Sequence, residues 1–256
     1  TVPQRIFANV WYVGTCGISA ILVTSAQGHV VIDGGPRDAG ALIAASIVKA
    51  GFRLQDVRWI LSSHEHHDHA GGIAELQRLT GAKVAATAPN AEVLRTGIPA
   101  PEDPQSGDLS PFTAVRVRRV LRDGEVLHLG PIAIKAHATP GHSPGSTSWT
   151  WRACEGRICH AMAYADSISA ISAPGYRFTD HPAYVAGFRK ALARVAALPC
   201  DLVITPHPSA SNLFDRLSGK APLAATGACR TYASQGLAGL QARLAKEVAD
   251  AKGARP

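Results

Sequence analysis

Residues 64–69 read His-Glu-His-His-Asp-His, four imidazoles and two carboxylates in six consecutive positions, and Ala70-Gly71-Gly72 follows at once. Neither a packed core nor a solvated surface needs that composition. Imidazole nitrogen and carboxylate oxygen are the donors that a borderline-soft divalent ion such as zinc prefers. A turn running into a helix would sort the side chains, sending His64 and His66 one way and Asp68 and His69 another, with His67 turned away from both. One short loop can then feed two metal ions a few ångströms apart, which makes a hydrolytic metal site the first expectation.

Six adjacent residues cannot close two coordination shells, so the fold has to bring further donors to the loop. His142 lies in Thr139-Pro140-Gly141-His142-Ser143-Pro144-Gly145, and His207 in Thr205-Pro206-His207-Pro208. Both are stiff turns immediately beyond strand-like runs. Taken alone, either histidine is more often a packing residue; beside the cluster, both become ligand candidates. His29, His128, His137, His160 and His181 have no companion donors and read as structural or solvent-facing.

The hydrophobic pattern predicts strands at 10–13, 18–24, 29–32, 57–61 and 83–86, with helices at 38–50 and 70–79. The histidine loop starts where the strand 57–61 ends. After a Pro-rich loop at 98–112, strands are expected at 115–120, 126–129, 132–138, 146–151, 158–165 and 202–205, with helices at 183–197 and 229–252. Two successive β-rich halves imply an α+β fold, two sheets face to face with helices outside, over one domain spanning 1–256. A doubly wound parallel sheet competes with this, but too many strands are joined by hairpin-length turns.

Other chemistries lose ground on the same reading. The net charge of +7 raises the possibility of nucleic acid. The basic residues are scattered, however, and the densest group (Arg116, Arg118, Arg119, Arg122) falls in alternating, strand-like sequence that suits a solvated face. No nucleic-acid partner is expected, although basicity suits small anionic substrates. No apolar stretch approaches the roughly 20 residues that span a bilayer, and no membrane partner is expected. Ser46-x-x-Lys49 falls inside a predicted helix rather than at its start, and no Gly-x-Ser-x-Gly elbow or phosphate-cradling loop is present.

Cysteine positions suggest an oxidising compartment. A Cys154–Cys159 bridge would close a hairpin, and a Cys200–Cys229 bridge would staple the C-terminal helix to the sheet. Cys16 is left outside both and is expected to be a buried thiol. With no initiator Met and no leader, the chain reads as a mature form, periplasmic or secreted.

His64-x-His66-x-Asp68-His69, His142 and His207, with Ile32-Asp33-Gly34-Gly35, together resemble the metallo-β-lactamase superfamily over nearly the whole chain. The resemblance implies a four-layer αβ/βα sandwich with the metals at one edge between the sheets. It implies two Zn2+ ions, one on His64, His66 and His142, the other on Asp68, His69 and His207. Within the superfamily the segment Tyr164-Ala165-Asp166-Ser167-Ile168-Ser169 decides. Class B β-lactamases of the first subclass carry a zinc-binding Cys here; thioesterases of the glyoxalase II type and lactonases carry an Asp that bridges both metals. The third subclass of class B β-lactamases has Ala-Asp-Ser and a second hydroxyl residue, as this chain does. Gly71-Gly72, the turn 140–147, Leu198-Pro199-Cys200-Asp201 and the Cys200–Cys229 bridge agree with that subclass; Ser148-Trp149-Thr150-Trp151 agrees more weakly.

The activity implied by this resemblance is zinc-dependent opening of β-lactams (penicillins, cephalosporins and carbapenems) by a hydroxide bridging the metals, with Asp68 orienting it. Ser167, Ser169 and Gln105 become candidate substrate contacts, Asp33 a support for ligand geometry, and Asp166 a structural residue. The expected partner is the small-molecule substrate alone, and the expected state a monomer. A di-zinc thioesterase or lactonase is the alternative; a nuclease or a non-catalytic zinc-stabilised module is less in keeping with the intact ligand set.

Overall fold

Every residue of Ile21–Val23 and His29–Ile32 is buried, yet neighbouring side chains go to different cores. Ile21, Val23, Val30 and Ile32 join one cluster, whereas Leu22 and Val31 join another. That is the period-2 signature of strands covered on both faces. The computed structural model, which describes residues 2–253, builds two such sheets. In the first, β1 (Gln4–Phe7), β2 (Val10–Tyr12), β3 (Ile21–Val23) and β4 (His29–Ile32) pair antiparallel. From β4 the pairing turns parallel through β5 (Val57–Leu61), β6 (Lys83–Thr87) and β7 (Val117–Leu121). The second sheet is an antiparallel meander of β8 (Val126–Leu129), β9 (Ile132–Ala138), β10 (Thr147–Glu155) and β11 (Ile158–Tyr164), with β12 (Leu202–Ile204) added parallel to β11.

The inner faces meet through Val30, Ile32 and Leu61 on one side and Ile134, Trp149, Met162 and Tyr164 on the other. Outside the first sheet pack α1 (Ala39–Lys49), α3 (Ile73–Thr80) and α4 (Ala88–Thr96), through Ile43, Ile47, Leu76 and Leu94. Outside the second pack α5 (Pro182–Ala196) and α7 (Ala228–Gly253), through Phe188, Leu192, Tyr232 and Leu240. Two short helices, α2 (His67–Ala70) and α6 (Leu213–Leu217), lie at strand ends. Fully burying one aliphatic side chain is worth about 1.5–3 kcal/mol, so these three clusters hold the layers. The stack is the expected αβ/βα sandwich, and the doubly wound alternative falls with the second sheet.

Local departures have local causes. The helix expected at 70–79 is two, broken at Gly71-Gly72. A Cβ at Gly72 would stand 2.3 Å from the Gly34 carbonyl oxygen and 2.8 Å from Gly40 N. Only glycine lets the chain pass that close to the turn after β4. The strand expected at 18–24 shortens to Ile21–Val23, because Ile18 closes a tight turn with Thr15 (N to O, 2.9 Å). That turn carries Cys16, which takes no part in either disulfide and is exposed, correcting the expectation of a buried thiol. β1 and α4 were not legible; α4 starts with Pro89 in its first turn, where a missing N–H is harmless. Both disulfides form: Cys154 and Cys159 face each other across the β10–β11 hairpin, and Cys200–Cys229 ties the approach to β12 onto α7. Arg116, Arg118 and Arg122 are exposed, as a solvated strand face requires. Among the described residues no helix is long and apolar enough to cross a membrane.

Candidate metal centre

Strand ends converge on one edge of the sandwich. The 64–69 run follows β5, Asp33 follows β4, residues 166–169 follow β11 and His207 follows β12; His142 lies in the turn between β9 and β10. His66 keeps an extended backbone (φ −72°, ψ 146°) and α2 begins at His67. The run therefore passes from extended to helical backbone between His66 and His67, and His64 is not parted from His69 as the spacing predicted but stands beside both His66 and His69. The His64 ring centroid lies 4.6 Å from that of His66, 5.0 Å from His142 and 4.3 Å from His69, and His207 continues the cluster 4.9 Å beyond His69.

Donor atoms of His64, His66 and His142 all fall within 4.8 Å of one another, as do those of His64, Asp68 and His69. The second group extends to His207: His69 Nε2 is 3.2 Å from Asp68 Oδ2 and 3.3 Å from His207 Nε2, and Asp68 Oδ2 is 3.7 Å from His207 Nε2. Bonds of about 2.0–2.1 Å in a tetrahedron separate donors by about 3.3 Å. These three edges match that spacing.

Each imidazole of the first group is held by one nitrogen and offers the other. His64 Nδ1 bonds Asp166 Oδ1 at 2.8 Å, leaving Nε2 buried with no partner. His66 Nε2 bonds Asp103 Oδ2 at 2.9 Å, leaving Nδ1. His142 Nδ1 meets the Ser169 carbonyl and hydroxyl oxygens, each at 3.0 Å, leaving Nε2. Carboxylates and carbonyls behind imidazoles fix tautomer and ring orientation in metal sites. An orphaned buried nitrogen costs about 1–3 kcal/mol unless something fills it; a metal ion on His64 Nε2 would do so. The donor set and its spacing fit a zinc-type metal.

Electrostatics keep these donors in their ligating forms. Burial, followed by the neighbouring imidazoles, pushes His64 well below its ordinary range, and burial brings His142 down to about 4, so both rings are neutral at pH 7. Burial would raise Asp68, but the hydrogen bond from His69 and the surrounding imidazoles outweigh it and hold the carboxyl well below the usual carboxylate range.

Behind the donors lies a polar frame. Asp33 adopts a left-handed backbone (φ 68°), a conformation that costs a non-glycine residue about 1–2 kcal/mol. Ser63 N–H and Oγ–H donate to its carboxylate at 2.7 Å each, and the Tyr164 hydroxyl donates at 2.6 Å. It thereby fixes the residue before His64 and lies 3.9 Å from His69 Nδ1. Burial pushes its carboxyl up to about 6. Glu65, the second carboxylate of the run, turns away from the donors. It accepts the Gly145 N–H at 2.8 Å and the Ser143 hydroxyl at 3.0 Å, and so grips the turn that carries His142. Burial pushes it up to about 7.

Of the candidate substrate contacts, Ser167 is buried and Ser169 is exposed, with its hydroxyl against His142. Gln105 is half-buried, and its Nε2 is buried without a partner. Asp166 sits behind His64, on the nitrogen opposite the unpartnered one. The remaining histidines have other work: His137 bonds Thr150 Oγ1, His181 stacks on Tyr176, His160 packs edge-on to Phe7, and His67 Nδ1 accepts the Ser110 N–H. Reasoning from sequence missed Asp103, the gripping role of Glu65, and Ser63, Ser143 and Tyr164. Only Asp103 carried a signal, an Asp two residues before Gln105 in a Pro-rich loop, the pattern of a side chain bonding the backbone two residues on.

A four-layer sandwich with imidazoles and a carboxylate gathered at its strand ends defines a class of metal-dependent hydrolases. Residues 13–207 match the profile of the metallo-beta-lactamase superfamily, and the chain belongs to that superfamily. Among solved structures it is similar to the metallo-β-lactamase MIM-1 from Novosphingobium pentaromativorans, with 56% identity and a TM-score of 0.95 over 98% of this chain and 92% of that one. It is also similar to MEM-A1, a subclass B3 metallo-β-lactamase from a soil metagenome library (46%, TM-score 0.94, 98% of both chains), and to SMB-1 (46%, 0.93, 96% and 97%). Curated relatives include hydroxyacylglutathione hydrolases of Anaeromyxobacter dehalogenans (32% over 138 residues, 54% of this chain) and Acidiphilium cryptum (30% over 207 residues, 80% of this chain). The matches span 42% and 66% of those two relatives' lengths.

Proposed function

We propose that this protein is a zinc-dependent hydrolase of the β-lactam amide bond, of the B3 kind, acting on penicillins, cephalosporins and carbapenems. The observation that carries the reading is the pinning of His64, His66 and His142, each by one nitrogen, with a second trio of donors 3.2–3.7 Å apart beside them. Likeness to β-lactamases at 46–56% identity over nearly the full length of both chains supports the substrate class. His64, His66 and His142 would hold one Zn2+, and Asp68, His69 and His207 a second. Bound there, the metals would supply Lewis acidity and a nucleophile available at neutral pH.

The chain's own residues would do the rest. Asp68, ionised and one-third exposed, accepts a hydrogen bond from an attacking water and is the catalytic residue of the protein itself. Ser167 and Ser169 line a pocket with His207 and would offer their hydroxyls to the substrate. The side chain of Gln105, whose Nε2 is buried without a partner, would have to turn outward to meet a substrate carbonyl or carboxylate. Asp33 keeps the run in place through Ser63. The protein would work as one domain over 1–256, as a monomer, in the periplasm or outside the cell, where two disulfides persist.

The purified protein should open a chromogenic cephalosporin, lose that activity to a chelator, regain it with zinc and ignore clavulanate. Zinc-dependent thioester or lactone hydrolysis without any β-lactam turnover would overturn the substrate assignment in favour of the hydroxyacylglutathione-hydrolase type.

A further inference from the structure

Asp103 lies outside the histidine run, in the Pro-rich loop, yet it is only 2% exposed. Its two carboxylate oxygens serve different masters. Oδ2 takes His66 Nε2 at 2.9 Å, and Oδ1 accepts the backbone N–H of Gln105 at 2.7 Å. The turn around it is closed by Asp103 N to Ala100 O at 3.1 Å and Ser106 N to Asp103 O at 3.0 Å. Ala173 N, from the segment after Ser167 and Ser169, donates to Pro104 O at 2.9 Å. The loop that presents Gln105 is therefore tied to a metal-facing imidazole through one rigid, planar group.

Both partners of the carboxylate are donors, so its plane is set by both at once. A shift of the Gln105 backbone turns the carboxylate. Turning it bends the bond to His66, and hydrogen bonds weaken steeply with misalignment. That bond keeps the proton on Nε2 and leaves Nδ1 bare for a metal. We propose that Asp103 is a positioning residue that couples the seating of the 103–107 loop to metal affinity at the His64, His66 and His142 site. Coupling of this kind is reciprocal. Metal loading stiffens the loop that carries Gln105, and loosening the loop releases metal. The inference rests on the metal assignment above and adds to it a residue and a direction of control.

Two measurements on the full chain test it. The first is zinc affinity, by competition with a chromophoric chelator, together with the visible spectrum of the cobalt-loaded protein. The second is hydrogen exchange at the Gln105 amide with and without zinc. In Asp103→Asn the amide can accept from only one of the two donors, so zinc affinity should fall 10–100-fold and the cobalt bands should shift. Asp103→Glu should recover part of the affinity. Gln105→Ala keeps the backbone N–H and should leave zinc affinity within about twofold of wild type, well inside the range of one hydrogen bond. Zinc should slow exchange of the Gln105 amide at least about tenfold in wild type, the upper range of one hydrogen bond, and not in Asp103→Asn. Wild-type zinc affinity and an unshifted cobalt spectrum in a folded Asp103→Asn would overturn the coupling and leave the metal reading intact. A wild-type protein that binds no zinc would overturn both.

Discussion

Removing the Glu65 side chain should cost more than its distance from the chemistry suggests. Glu65→Ala strips the Gly145 N–H of its acceptor, while Ser143 Oγ can still turn to Ser146 Oγ at 3.1 Å. One orphaned buried donor costs about 1–3 kcal/mol. The hole left by the deleted methylenes and carboxyl adds about 1–2 kcal/mol. Burial already pushes this carboxyl up to about 7, so Ala relieves little charge burial at neutral pH. The sum is about 2–5 kcal/mol, or roughly 4–20 °C in Tm for a chain of this size. Glu65→Gln should stay within about 1 kcal/mol, because its carbonyl can accept from Gly145 and its amide can donate to Ser143. Thermal unfolding of both variants, with and without zinc, is the assay. The Ala variant should also bind zinc more weakly, since the slackened turn carries His142; the Gln variant should not. Melting of Glu65→Ala within 2 °C of wild type (under about 1 kcal/mol), with unchanged zinc affinity, would refute the strut. Equal damage from Gln would show that charge, not hydrogen bonding, is what matters.

Asp166→Ala should lower zinc affinity 10–100-fold by freeing His64 Nδ1, yet still take up two ions per chain at saturation, whereas Asp166→Asn, which keeps an acceptor, should do better. One ion at saturation in the Ala variant would identify Asp166 as a shared ligand instead. For His137, burial and then Arg194 bring the folded pKa down to about 4, against an ordinary value near 6.5. Between those values the unfolded chain takes up a proton that the folded one refuses, so this stability is complete above about pH 6.5 and is lost as pH falls toward 4. The stability difference between wild type and His137→Gln should therefore bend downward over that window in urea unfolding; a difference independent of pH would reject the assignment.

The donors were legible in the sequence because their chemistry is local. Six adjacent residues announce a metal by composition alone, and His142 and His207, in stiff turns beyond strands, become candidates only because that run demands further donors. Strand positions were legible for the same reason, since Val30-Val31-Ile32 between two turn signals can hardly be anything but a strand with both faces covered. Inside the run, however, Glu65 and Asp68 carry the same functional group three residues apart, and nothing local says that one grips a turn while the other joins the imidazole cluster. That distinction arises where the backbone passes from extended at His66 to helical at His67, in a helix of four residues too short to show any period. Cys16 was misplaced for a related reason: burial is a property of which loop covers which, and its turn projects into solvent. Above all, which nitrogen each imidazole presents depends on partners the spacing does not reveal. Asp166 lies 102 residues from His64, and Asp103 lies 37 from His66. A histidine whose proton sits on the wrong nitrogen is no ligand. The run thus supplies the donors but not their orientation, and the site exists only once the second sheet and the Pro-rich loop have closed over the first.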